Sequence, residues 1–379
     1  MYRRIIIAAA LLEVSSLTFS AQAANFQSNA TRSSFESVSE LIAQNGASDN
    51  EQVNELLRQG RDRLEAGDYE GAIASYRQAA RLESDNARIY SGIGYVYVQQ
   101  KNYQAAAEAY RQAIALAPNN SAFRYGLAYS LVQVDALEEA AAAYRALIQI
   151  APNEANAYLG LGSVLVRLEN YSAAADAYRR LMGIAPNNAE GLEALGNLYL
   201  QQQQYPEARE IFQQVQRLDP NRSSVYLSLA NLWLFEDNQE QALQALNRAV
   251  QLDPNSAEAQ FQLAEILRDR GQSEAAFTHY LKAAEANPDI AIAQAMIGET
   301  YLAREQYLQA VLAYRRLVRL LPADPGAHYN LGLALWGQGF RQEAVGQIRR
   351  SQSLYQQQGN SDSVERTVEL LEVWGVEAS

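Results

Sequence analysis

Seven of the nine prolines in this 379-residue chain stand on one ladder: Pro118, Pro152, Pro186, Pro220, Pro254, Pro288 and Pro322 recur every 34 residues. Alanine recurs in the same register over a longer span, at Ala72, Ala106, Ala140, Ala174, Ala208, Ala242, Ala276, Ala310 and Ala344. Nine copies in phase, without an insertion, point to stacked supersecondary units stabilised by their neighbours rather than to one central core.

Within each copy the pattern reads as two helices. Proline ends the second helix of one copy, and the residue after it (Asn119, Asn153, Asn187, Asn221, Asn255 or Asp289) is expected to cap the next. Two such caps would be closed three residues on, Asn187 by Glu190 and Asn255 by Glu258. Glycine closes the first helix at Gly67, Gly271 and Gly339, where a left-handed residue is expected. A ladder of small residues (Gly60, Gly94, Ala128, Gly162, Gly196, Ala230, Ala264, Gly298, Gly332) runs through the first helices. Mid-helix glycine costs ~1 kcal/mol against alanine, so these sites are expected to need close helix approach. Since alanine serves at three of them, Gly196→Ala is expected to be harmless. An aromatic ladder (Tyr76, Tyr110, Tyr144, Tyr178, Phe212, Tyr280, Tyr314) is expected to fill the space between copies, which makes most of the 23 tyrosines structural.

Tyr90, Ile93, Gly94 and Tyr97, then Ala106 and Tyr110, then Pro118 resemble the signature of the tetratricopeptide repeat, a 34-residue helix–turn–helix unit. The resemblance implies an all-α fold, a right-handed superhelical solenoid. It divides the chain into a secretory signal over 1–23, a polar tether over 24–50, nine repeats over 51–358 and a C-terminal capping helix within 359–379. The signal reading rests on Arg3-Arg4, the apolar run from Ile5 to Leu12 and the Ala21-Gln22-Ala23 cleavage form. That run falls short of the ~18 residues a membrane span needs. Membrane contact is therefore expected only if this segment is retained as an anchor. Within the tether, Ser33 to Gln44 reads as a short amphipathic helix. The last helix, from about Ser363 to Trp374, has Asp362 as its expected cap and Val364, Val368 and Leu371, with Trp374 as a further candidate, as its inward face.

Net charge of −12 with no basic cluster argues against nucleic acid as a partner. The chain has no cysteine and only two histidines, His279 and His328, on separate repeats. No metal, cofactor or catalytic site is therefore expected. Gly92-Ile93-Gly94 and Gly160-Leu161-Gly162 follow no strand, so a phosphate loop is excluded.

In the family the chain resembles, first helices line a concave groove that takes an extended peptide or a helix. Carried onto this sequence, groove positions are Arg58, Arg61, Arg88, Tyr95, Tyr125 and Tyr129, then Asn197 and Asn231, then Glu258, Glu265, Asp269 and Glu299. Their charge changes sign along the chain. Asn197 and Asn231 match the asparagine of the family's carboxylate clamp, but Glu193 and Leu227 replace its lysine. The expectation is an exported, periplasmic protein–protein scaffold of a bacterial envelope. The alternative is a part of an envelope export or assembly machine, such as one for exopolysaccharide secretion. A small-molecule receptor or an enzyme finds no supporting motif.

Overall fold

The computed structural model describes residues 50–376, which form two compact units, 50–219 and 220–376. The expected signal, tether and Ser33–Gln44 helix lie outside the described residues. The N-terminal unit holds five helix pairs: α1 (Glu51–Glu65) with α2 (Tyr69–Leu82), α3 (Ala87–Gln99) with α4 (Tyr103–Leu116), α5 (Ser121–Gln133) with α6 (Leu137–Ile150), α7 (Ala155–Arg167) with α8 (Tyr171–Ile184), and α9 (Ala189–Gln201) with α10 (Tyr205–Leu218). The C-terminal unit holds four: α11 (Ser223–Phe235) with α12 (Gln239–Leu252), α13 (Ala257–Asp269) with α14 (Ser273–Ala286), α15 (Ala291–Ala303) with α16 (Tyr307–Leu320), and α17 (Pro325–Gly337) with α18 (Arg341–Gln357). A single helix, α19 (Ser361–Val373), packs on α18. The fold is an all-α repeat solenoid.

The turn inside each pair is tighter than the sequence suggests. After α1, the Asp68 N–H reaches back to the Arg63 carbonyl at 2.8 Å, closing a Schellman motif around Gly67 at φ +77°. Asp68 is at once the last residue of that motif and the N-cap of α2, its carboxylate accepting from the Gly71 N–H at 3.0 Å. The left-handed residue recurs in every pair, but six of the nine are not glycine: Lys101, Asp135, Glu169, Gln203, Asp237 and Glu305. These take a conformation that disfavours a Cβ, held by the helices on either side.

Between pairs, the sequence expectation needs correction. The residue after the ladder proline is not the N-cap; the cap falls one later, at Asn120, Asn188, Ser256 and Asp324 among others. Proline takes the second place of a β-turn, as in Ala117-Pro118-Asn119-Asn120, where the Asn120 N–H bonds the Ala117 carbonyl at 3.2 Å. The turn uses up the first asparagine, so the capping boxes expected at Asn187–Glu190 and Asn255–Glu258 do not form. Asn188 instead accepts from Gly191, and Ser256 from Ala259. The fourth residue of the next first helix then clasps this turn by a carbonyl six residues back. Arg124 donates to Pro118, Tyr226 to Pro220, Gln260 to Pro254 and Gln294 to Pro288. His328 does the same to Pro322 at 3.1 Å while its other ring nitrogen meets Gln347, so it is a buried structural residue.

Every member of the alanine ladder is at most 2% exposed. The aromatic ladder packs on two sides at once. A Cβ placed on Gly94 would meet the Tyr110 ring at 3.1 Å, and one on Gly126, in the next pair, would meet the same ring at 2.5 Å. The Tyr76 and Tyr110 rings thus each lie between the first helix of their own pair and that of the next. Gly126 belongs to a second glycine series, Gly92, Gly126 and Gly160, whose members all face the ring of the preceding pair.

In α1 the residues in that register are polar. Glu55, Arg58 and Asp62 stand where the following first helices bury Ile89, Gly92 and Val96, or Phe123, Gly126 and Ser130. Arg58 pairs with Glu55 at 2.7 Å and with Asp62 at 3.1 Å. At the other end α19 is capped by Asn360, not Asp362, through a bond to Ser363 N. Its inward stripe is Ser363, Thr367 and Leu371; Val364 and Val368 are only half-buried.

Candidate functional site

First helices of neighbouring pairs touch one another: α3 meets α5 and α7 meets α9 in the N-terminal unit, and α15 meets α17 in the C-terminal unit. Among the described residues, no second helix approaches the next second helix as closely. The first-helix side is therefore the inner side of each unit, and the ladder rings point their tips toward it.

In the N-terminal unit this face is lined by Arg61, Tyr95 and Tyr129, one per pair in the same register, with Arg88 and Tyr125 beside them. The Tyr76 ring tip lies close to Arg61 and Tyr95, and burial pushes its phenol up to about 12, with Arg61 acting the other way. Tyr110 lies beneath Tyr95 and Tyr129, its hydroxyl wholly buried with no hydrogen-bond partner. Tyr129 meets Tyr103 edge-on at 6.1 Å, and Tyr125 meets Tyr144 likewise at 6.1 Å. Burial raises the phenols of Tyr95 and Tyr129 as well. The result is a tyrosine floor in which the supposedly structural rings supply the second layer. Asn197 continues the register on α9, half-buried. Arg58 does not belong to this face. It occupies the register of Gly92, which faces a neighbouring pair rather than the groove.

In the C-terminal unit the register holds Asn231, Glu265 and Glu299. Glu258 on α13 is pushed up to about 8 by burial, although the Gln262 amide donates to it at 3.1 Å and, with the nearby Asn231 amide, pulls the other way. Glu265 takes two bonds from Arg268, at 2.7 and 2.8 Å, and another from the Tyr280 hydroxyl. Asp269 sits 3.3 Å from the same Arg268. Glu299 is exposed. The acidic end expected from the sequence is therefore weaker than its formal charge. Glu258 holds its proton near neutrality, and Arg268 offsets Glu265. Sequence reading misses Gln262 and Tyr280, because each sits in a ladder that is structural in other repeats.

Among the described residues no group of histidine and acidic side chains is arranged to hold a metal ion. No described helix is long and apolar enough to cross a membrane.

The pattern of the tetratricopeptide repeat matches residues 57–121, 94–155, 125–189, 159–223 and 193–257, and again 245–278, while a TPR repeat pattern matches 298–339. A TPR repeat-containing protein of Picosynechococcus sp. is 40% identical over 67 residues, which is 18% of this chain and 17% of that protein's length. Among solved structures, a tetratricopeptide repeat protein from Parabacteroides merdae superposes with a TM-score of 0.55 at 18% identity, over 65% of this chain and 98% of that one. YrrB, described as a TPR protein with an unusual peptide-binding site, gives 0.42 at 21% identity, over 48% and 95%.

Proposed function

The chain belongs to the tetratricopeptide-repeat family, and from that premise we propose that it is a non-catalytic scaffold of a bacterial envelope, exported to the periplasm, that holds another protein by a peptide or helix laid on its first-helix face. The observation that carries this reading is the tyrosine floor of the N-terminal unit. Tyr95 and Tyr129 are half-buried and repeat at the spacing of successive pairs, backed by Tyr110 and Tyr144. Such a floor offers rigid, amphipathic area at small entropic cost, and aromatic anchors of this kind dominate the energy of protein interfaces. Export is supported by the arginine pair, apolar run and cleavage form at the start of the chain.

The test begins with a partner that co-purifies stoichiometrically from the native envelope. Its release from the wild type, from Tyr95→Ala/Tyr129→Ala and from Leu116→Ala on a second helix is then followed by surface plasmon resonance. Faster dissociation from the tyrosine double variant alone is expected. Faster dissociation from Leu116→Ala alone would put the partner on the outer side and end the proposal. Intact mass of the native protein reads the export step; a mature pool that retains residues 1–23 would exclude cleavage.

A further inference from the structure

The second helix of the eighth pair departs from the module on its outward face. Among the nine described second helices, α16 alone has no acidic residue, in a chain whose net charge is −12. It exposes Leu308 (55%) and Leu312 (56%) one turn apart on that face. In the other eight these two registers hold no leucine, no other large aliphatic and no aromatic residue; the preceding pair has Glu274 and Thr278 there. Leu308 also forgoes a structural bond. In its register Glu70, Glu240 and Glu274 each accept from the residue that ends the next first helix, Gln100 at 3.1 Å, Arg270 at 3.0 Å and Arg304 at 2.6 Å. The corresponding residue after α17, Gln338, keeps a buried side-chain oxygen without a partner. Packing therefore gives no reason for a leucine at 308.

Basic residues complete the face. Arg315, Arg316 and Arg319 continue along α16, and Arg349 and Arg350 stand on α18, all exposed. Arg315 bonds Glu343 of α18 at 2.9 Å, which fixes how the two helices lie side by side. One turn back from this pair, Phe340 (53% exposed) is level with Leu312. Further along, Arg349 and Arg350 come level with the end of α16, just past Arg319. Arg316, Arg319, Arg349 and Arg350 have no ion pair or hydrogen bond among the described residues. On the flanking second helices Glu274 is bonded to Arg304 and Glu343 to Arg315. Three apolar side chains thus stand beside four unneutralised guanidiniums.

We infer that this outer face docks on a phospholipid membrane carrying anionic headgroups. Leu308, Leu312 and Phe340 enter the boundary between headgroups and acyl chains, and the four arginines bind phosphates. Large apolar side chains together with arginine are the composition that holds helices at such a surface. A guanidinium meets a phosphate with two parallel bonds and is weakly hydrated. Each basic group near an anionic surface adds attraction, which salt weakens. The form of the face favours a membrane over an acidic protein. Second helices stand on the outer side of the unit, opposite the groove, where a peptide or helix finds no channel to lie in; a bilayer yields around a bulging surface. Acidic residues elsewhere on the chain repel such a surface only within a Debye length, ~8 Å at physiological salt. The inference goes beyond the scaffold reading, since a unit resting on lipid by its outer face still presents its first-helix face to a partner.

The test is flotation of the full chain with vesicles of equal parts phosphatidylcholine and phosphatidylglycerol, and with vesicles of phosphatidylcholine alone. Two double variants carry residues that other repeats place in the same registers, which keeps the fold. Leu308→Glu/Leu312→Thr takes the pattern of Glu274 and Thr278, and Arg316→Gln/Arg319→Gln that of Gln112 and Gln251. Thermal unfolding by circular dichroism checks that both are native. All three proteins share residues 1–23, so any lipid contact made there is common to them. The wild type should bind the anionic vesicles about tenfold more tightly than the neutral ones, and added salt should weaken it. Each double variant should lose about tenfold in affinity for the anionic vesicles, and the arginine variant should lose most of the salt dependence. Equal binding of the wild type to both vesicles, or equal binding of the wild type and either variant, would overturn the proposal. Capture by an immobilised hexaglutamate peptide, lost in the arginine variant and without any vesicle binding, would assign the face to an acidic protein and overturn it too. Each outcome leaves the scaffold reading to its own test, since release of the recovered partner through Tyr95 and Tyr129 is measured on the other unit.

Discussion

Trp374 lies flat on Trp336, ring centroids 3.9 Å apart and planes 2° from parallel. The Arg341 guanidinium is also 3.9 Å from the Trp336 centroid. Two groups so close to one ring must cover its two faces, so Trp336 is sandwiched between α18 and the end of α19. This contact, with Leu371 and Thr367, fastens the last helix to the array. Trp374→Ala should lower stability by ~1–3 kcal/mol and abolish the coupled-tryptophan signal in near-ultraviolet circular dichroism. An unchanged signal would show that the two rings are not stacked in solution.

Gly196 offers a sharper test of packing than its sequence suggests. A Cβ there would meet the Phe212 ring at 2.6 Å and Ile211 at 3.1 Å, and Phe212 is 0% exposed. The ring is wholly buried, so it has no free space to back into. Alanine at this position, expected from the ladder to be harmless, should therefore cost ~1–3 kcal/mol despite its better helix propensity. Chemical denaturation of Gly196→Ala decides this, and a midpoint at or above that of the wild type would refute the close approach.

Tyr110 and Tyr280 occupy the same ladder but should respond oppositely to loss of their hydroxyl. The Tyr110 hydroxyl is buried without a partner, so Tyr110→Phe should be neutral or stabilising by up to ~1 kcal/mol. The Tyr280 hydroxyl donates to Glu265 and accepts from Arg268 at 3.3 Å, so Tyr280→Phe should cost ~1–3 kcal/mol. Thermal unfolding of the two variants side by side reads the difference, and destabilisation of both to the same extent would contradict it.

Burial raises Glu258 from 4.5 to about 8, so the folded chain binds its proton more tightly than the unfolded one. Below pH 4.5 both states are protonated and stability from this group is full. As pH climbs from 4.5 to 8 the unfolded state ionises first and stability drains away; above 8 the loss is complete. Each tenfold difference in proton affinity between the two states is worth ~1.4 kcal/mol, so the loss amounts to a few kcal/mol at most. Glu258→Gln should lack it. Urea midpoints of both proteins across this range should converge in acid and separate in base in favour of the variant, and parallel curves would rule out the buried carboxyl.

The repeat length, the two-helix unit, the buried alanines and the close approach at the small ladder can all be read from residue spacing. They are periodic, and a period is legible in one dimension. What escapes depends on a single residue of offset or on what stands next door. The N-caps read one residue early because a proline β-turn consumes the residue after it. Only three of the nine left-handed turn residues are visible in the sequence, since Lys101 or Glu305 carries no mark of the conformation its neighbours impose. Arg58 looks like a groove residue until its register is matched to Gly92. Glu258 looks like surface charge, because burial by Asn231 from another helix leaves no trace in the local sequence.

A chain made of interchangeable modules carries the means of its own polymerisation, since the face that one repeat shows the next could as well be shown to another molecule. The bonded trio on α1 closes that route in one direction. A second copy stacking there would have to strip water from Glu55, Arg58 and Asp62 and offer apolar side chains in return. Heterologous contacts of this kind build open filaments when they do not close on themselves. Three polar residues in the place of three buried ones thus make stacking on this face costly.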